Sequence, residues 1–478
     1  MEPSREQPIP LYYQLKTMLT EEILSGTYGT DGRIPTEHEL CERFGLSRTP
    51  VTRALSELAA EGVVLRRRRH GTFVNPHWPR RPAGSAEVRV VTPLGNGWTD
   101  HLKSVAPPDT RLSCAEVDLN DLHSVFVHAV AEGRAPDLAV LDSVWVAEFA
   151  ASGFLWPLED LDADWVTNDY GKDFLQPFVD AHRIGDATVA VQAEMDVGGM
   201  WYNRELLASV NTDVPKTWAE LHETGRRLLR ANTKYALAIP GGPAADEFTT
   251  YCLVALLAAN GARVLGPDRV TLASQAGIEA VTLLRALAED GIVPQAVVGF
   301  ERDRVVHLLA KGDAAMAFGG SYELPTVADQ AGLPLTEVTK TFGFAPMPAG
   351  PRNSRSVLVG GMVYCIPRQA RQPGRAMDML RRAVTREAMA RFFARTGQIP
   401  PRRSVAAELV GRSAFHAFTA GLLSDAVTRP VTPAYALVSA QLRAMVETVL
   451  TGRLPPAAAL TRTAELISAI TGLPGQPG

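Results

Sequence analysis

Cysteine is scarce in this 478-residue chain, and the four that occur, Cys41, Cys114, Cys252 and Cys365, are far apart and form no metal-spaced pair. That excludes a disulfide framework and a thiolate metal centre, and leaves reduced, largely buried thiols as the expectation. No run of eighteen apolar residues occurs, and the opening MEPSREQPIP has no apolar h-region. Neither a membrane span nor a secretion signal is expected, which points to the cytoplasm. The nucleophile elbow GxSxG, the Walker A loop and HExxH are missing too, and His101, His123, His128 and His182 stand beside no nucleophile motif. No enzyme is expected. Asp162, Asp164 and Asp169 lack the Gly-centred twelve-residue loop that calcium requires, so they read as solvated helix ends, and no metal or cofactor is foreseen.

What is present is ordinary for a globular protein: 46% apolar and 21% charged residues, at a length that suits two or three domains. The net charge of −4 hides an asymmetry, because residues 43–81 carry nine arginines against only Glu57 and Glu61. A basic patch at one end of an acidic chain suits a polyanion. Around it the stretch PTEHELCERFGLSRTPVTRALSELAAEGVVLRRRRHGTFV organises the front of the molecule. It reads as a helix over 36–44 stopped by Gly45, then Ser47 as N-cap and Pro50 in the first turn of a second helix. Val51, Leu55 and Leu58 recur at helical spacing, which leaves Arg48, Thr49, Thr52 and Arg53 on other faces. Residues 63–65 and 72–74 read as paired strands joined by an arginine-rich wing at 66–70. An earlier helix begins after Pro10, with Leu11, Leu15, Leu19 and Ile23 on one stripe.

The pieces PLYYQL, RIPTEHELCERFGLSRTPVTRAL and EGVVLRRRRHGTFV closely resemble the winged-helix domain of the GntR family of bacterial regulators. The resemblance implies double-stranded DNA as partner. It implies contacts from Arg33, Thr36, Glu37, Ser47, Arg48, Thr49, Thr52 and Arg53, and from the wing at Arg67, Arg69, His70, Gly71 and Thr72. Three departures bear on the operator: His38 and Thr52 stand where the family often has Arg, and Arg69 where it often has Gly. The first two remove guanine or phosphate contacts, and the third adds a cation able to enter a minor groove.

Residues 76–87, rich in Pro and Arg, read as a linker after a domain of 1–75. From residue 88 strands and helices alternate, which implies parallel sheets flanked by helices, with ligands at the C-terminal strand ends. The segments APDLAVLDSVWVAEFAASGFLWPLEDL, GGMWYNRELL, VPKTWAEL, KGDAAMAFGGSYELP, FAPMPAG and GGMVYCIPRQARQPGRAMDML, taken in order, look like the extracellular solute-binding proteins of ABC sugar importers, the maltose-binding type. The fold class expected is therefore α/β, a winged helix-turn-helix followed by a two-lobed periplasmic-binding-protein-like domain. Lobe one would take about 88–195 and 362–412, and lobe two about 196–361 and 413–478.

A sugar offers hydroxyls and an apolar C–H face, so its site needs planar hydrogen-bonding groups and an aromatic plate in a cleft. At strand ends the sequence offers Asn96, Trp98, Asp142, Trp145, Asp196, Asp246, Tyr322 and Gly361, with Glu194 and Glu247 alongside. Tyr322 stands where relatives often carry Trp, keeping a flat face and adding a hydroxyl. Each has a bland alternative: the tryptophans could cover core edges, and the aspartates could cap helices or tie the lobes together. Trp201 and Tyr202, inside a strand, read as core. The reading that results is a homodimeric, ligand-sensing regulator whose small-molecule effector is a sugar or oligosaccharide. The rivals are a constitutive DNA binder whose sensor only dimerises, and a solute-binding transport component.

Overall fold

A computed structural model describes residues 11–24, 27–28, 32–60, 62–67, 71–75, 86–95, 97–354, 356–411 and 413–475. Helix Leu11–Leu24 lays Leu15, Leu19 and Ile23 against helix Arg48–Ala60, which buries Val51, Leu55 and Leu58. Each such side chain taken from water contributes roughly 1.5–3 kcal/mol, enough to hold three short helices that would be marginal alone. Between them lies helix Glu37–Phe44, started by a capping box in which the Thr36 hydroxyl accepts from Glu39 N at 3.3 Å. It ends at Gly45 in the left-handed conformation, φ 59°. The wing is a three-stranded sheet. Strand Val64–Arg67 pairs with Gly71–Val74, and the short strand Arg33–Ile34 adds to the other edge. Arg69 and His70 lie outside the described residues, as do 76–85 of the expected linker.

The second part begins with strand Ala86–Pro93 and contains two large sheets, each with its own hydrophobic cluster, besides a small hairpin of Arg183–Ile184 and Ala187–Thr188. In the first, Thr110–Val117, Ala86–Pro93 and Leu138–Asp142 run parallel, followed by Met362–Cys365 and Val191–Gln192. In the second, Asp196–Asn203 is central, flanked by Ala314–Gly320, Phe342–Pro346 and Val357–Gly360, with Tyr235–Ala238 and Ala426–Val427 outermost. The expectation of parallel sheets needs correction. Met362–Cys365 is antiparallel to both neighbours, and Asp196–Asn203 is antiparallel to all three of its own. The cause is the passage between lobes: a strand arriving from the other lobe enters its sheet without a crossover helix, and a helix is what parallel pairing would demand. Trp201 and Tyr202 are core, as their strand position suggests.

Two passages run side by side. Asp196 pairs with Gly360 in one sheet and Gln192 with Val363 in the other. The Gln192 amide knits them, donating to the carbonyls of Glu194 at 2.6 Å and Gly360 at 3.3 Å. Gly361 occupies φ +129°, and a Cβ there would lie 2.2 Å from the Glu194 carbonyl oxygen. Gly361→Ala should therefore cost on the order of 1–3 kcal/mol or more in denaturant unfolding. Unchanged stability would mean the passage yields freely.

Candidate functional site

On the winged helix, Arg33, Thr36, Ser47, Arg48, Thr49, Arg53 and Arg67 are exposed, and Thr52, Gly71 and Thr72 half-buried. Their centre is Glu37. Its carboxylate accepts from Arg48 Nε at 3.2 Å, from Thr52 Oγ1 at 3.1 Å and from Arg66. Partial burial alone would raise its pKa, but these three donors hold it below the ordinary carboxylate value. A negative group cannot itself attract phosphate, so the structure gives Glu37 the work of orienting two arginines and a threonine. Arg53 turns toward the first helix, 3.7 Å above the Tyr12 ring and 3.2 Å from Glu57. Such exposed pairs are worth at most about 1 kcal/mol, so their cations can be traded to a nucleic acid at little cost.

In the second part a cavity of about 270 Å³ opens where the two sheets meet. Trp98, Asp142, Trp145, Asp196, Asp246, Tyr322 and Gly361 all line it, while Asn96 lies outside the described residues. Tyr322 presents the accessible ring, with Tyr251 edge-on at 5.8 Å and the Arg302 guanidinium 5.1 Å from its centroid. Trp98 is only 1% exposed and packs on Phe392 and Tyr364, so little of its ring is open to the cavity. Trp145, also buried, stands against His123.

Sequence reasoning missed the organising residue. Arg429, 5% exposed, donates from Nη2 to Asp142 Oδ1 at 2.7 Å and from Nη1 to Glu247 Oε1 at 2.9 Å. Burial opposes its charge, but Asp142, Tyr435 and Glu247 more than offset that and hold the proton firmly. Asp142 ends a strand of the first sheet and also accepts from Val144 N at 3.2 Å, so it is both helix cap and interlobe tie. Glu247 opens the buried helix Glu247–Ala258 beside the second sheet and also receives Ser439 Oγ at 2.8 Å and the Tyr435 hydroxyl. Asp196 takes the Tyr251 hydroxyl at 2.8 Å; burial pushes its carboxyl up to about 6 against the pull of Arg429. Asp246, paired with Arg443, holds a backbone φ of 47°, a strained value for a residue with a side chain. Strain of this kind concentrates at functional sites.

Residues 116–390 match the model of the bacterial extracellular solute-binding protein family, and residues 11–74 match that of the gntR family of bacterial regulatory proteins. The chain belongs to the solute-binding protein family and carries a GntR-type regulator domain in front. A putative binding protein of Brucella abortus is 21% identical over 350 residues, covering 71% of this chain and 81% of that one. An uncharacterized HTH-type transcriptional regulator of Bacillus subtilis is 36% identical over 95 residues, which is 20% of this chain and 36% of the regulator. An ABC transporter solute-binding protein from Thermotoga lettingae, bound with α-D-tagatose, superposes with a TM-score of 0.73 at 20% identity, covering 81% of this chain and all of that one. At this identity the likeness establishes the fold alone.

Removing one member of a buried ion pair strands the other charge. Arg429→Ala should thus cost about 3–5 kcal/mol by urea unfolding, whereas Arg429→Met combined with Asp142→Asn and Glu247→Gln should recover most of the loss. A single substitution costing under about 1 kcal/mol would show that the cluster is hydrated rather than buried.

Proposed function

We propose that this chain is a cytoplasmic transcriptional regulator whose winged helix binds operator DNA and whose two-lobed domain senses a small, polyhydroxylated solute. One observation carries the sensing half. Seven candidate residues, drawn from strand ends and short helices scattered over the second part, converge on one cavity with hydrogen-bonding carboxylates, guanidinium groups and a ring face. Sugar chemistry needs that combination. The cavity lies just below the roughly 300–1,000 Å³ usual for small-molecule sites, which favours a monosaccharide over the longer oligosaccharides that the sequence left open. A transport role fits poorly with a DNA-binding domain on the same chain.

A palindromic operator mirrors a two-fold protein, so a homodimer would place recognition helices about 34 Å apart. Lobe closure on the solute changes the geometry delivered to the reader, and it can do so only if the two conformations differ in affinity for that solute. A coupling of about 1–3 kcal/mol changes operator affinity roughly 5–150-fold. No enzymatic step is assigned.

A DNA-binding titration repeated with and without monosaccharides tests this reading. An effector-dependent shift in operator affinity is expected, and an operator curve indifferent to every ligand that binds the protein would reduce the sensor to a dimerisation body. Within the reader, Arg48→Ala should cost about 1–3 kcal/mol at the operator if it reads a base. Equal weakening on all sequences would make Arg48 a phosphate clamp instead.

A further inference from the structure

Five carboxylates and three guanidinium groups line the cavity, and pairing them leaves a remainder. Arg429 serves Asp142 and Glu247, and Arg443 serves Asp246. Arg302 leans on the Tyr322 ring, with Glu323 behind it 3.9 Å from its Nε. Two acids remain, Glu194 and Asp196, neighbours on the passage between lobes. Asp196 has a tyrosine hydroxyl for company. Glu194 is 3% exposed, lines the cavity, and its Oε2 has no hydrogen-bond partner among the described residues. A buried carboxyl left unsatisfied is unfavourable unless a ligand supplies the missing partner.

Resting on the sensor reading above, we infer that the effector is an amino sugar whose ammonium group binds between Glu194 and Asp196 while its ring lies against Tyr322. A neutral sugar would satisfy Glu194 with one hydroxyl but brings no charge that would let the two acids ionise. An ammonium supplies three donors and the missing positive charge together. The surroundings of the two acids carry the consequence. Burial first, then the charges of Asp196 and Asp142, drive the Glu194 carboxyl well above its ordinary value, against the pull of Arg302. Asp196 is lifted as well, to about 6, with Arg429 and the Tyr251 hydroxyl opposing. The Tyr364 and Tyr322 hydroxyls face the same pair, and Glu323, itself pushed to about 7, adds to the negative surroundings. An arriving ammonium favours the ionised acids, so binding expels protons. Affinity falls as pH drops through about 6, where Asp196 takes up a proton, and falls again in base once the amine itself deprotonates, near the roughly 8 usual for an α-amino group.

The test is calorimetric titration of the full chain with glucosamine, galactosamine and mannosamine, each beside its parent hexose and its N-acetyl derivative. One amino sugar should bind at least ten-fold tighter than both neutral counterparts, with proton release seen as a dependence of the heat on buffer ionisation enthalpy. Glu194→Gln should erase that preference while leaving or improving the neutral sugar. Tighter binding of a neutral hexose, or amino-sugar binding without proton release, overturns the amine assignment and leaves sugar sensing standing. If no saccharide of any class binds, the sensor reading falls and takes this inference with it.

Discussion

The junction of the two lobes depends on the buried cation of Arg429. Arg429 lies in a segment that joins late in the sequence, yet its two nitrogens reach the end of a first-lobe strand and the start of a second-lobe helix. Taking a guanidinium and two carboxylates out of water costs several kcal/mol per ion, so a cluster like this is a poor source of net stability. Its value is geometric. With both arms made, the relative setting of the lobes is fixed; if the lobes part, one arm must break and leave a carboxylate to water. That is the kind of discrete alternative on which a ligand can act, because a packed apolar seam would yield only gradually.

Everything near the cavity is shaped by the same passage between lobes. Two chain segments cross side by side, and the space between them admits no side chain at position 361. The Gln192 amide stitches the crossing from within, which frees the carboxyls of Glu194 and Asp196 to face the cavity. The strained backbone of Asp246 belongs to this economy, since it turns the loop sharply enough for Glu247 to begin its helix under Arg429.

Much of this was legible in the sequence, for a reason that differs by region. The winged helix could be read residue by residue because its signals are local: a capping box at Thr36, a left-handed stop at Gly45, an apolar stripe of Val51, Leu55 and Leu58. The cavity-lining candidates could be picked out because most sit at strand ends, and unbroken apolar runs such as those of Leu138–Asp142 and Ala314–Gly320 mark such ends well. Trp98 shows the limit, since its position at a strand end said nothing of the Phe392 and Tyr364 rings that hold it from solvent. Arg429 was invisible. Its partners are 287 and 182 residues away, and an arginine in the short stretch AVTRPVTP looks like any surface charge. Antiparallel insertion of the crossing strands was likewise hidden, because strand direction is decided by where the chain came from and not by composition.

The two ends of the molecule use similar ion pairs to opposite effect, and the difference is dielectric. Around Glu37 the side chain of Arg48 is 84% exposed, and charges a few ångströms apart in a water-like medium attract each other with only about 1 kcal/mol. A phosphate can therefore take Arg48 from Glu37 without a large debt, and Glu37 still aims it until that happens. Around Arg429, whose side chain is 4% exposed, the same pairing is several times stronger, and no solvent is at hand to replace a lost partner. Exchangeable pairs suit a surface that must search and release DNA, whereas unexchangeable ones suit a cavity that must discriminate. What can change the inner cluster is a ligand that brings its own charge or hydrogen bonds to replace those it disturbs, which a solute that merely fits the space does not.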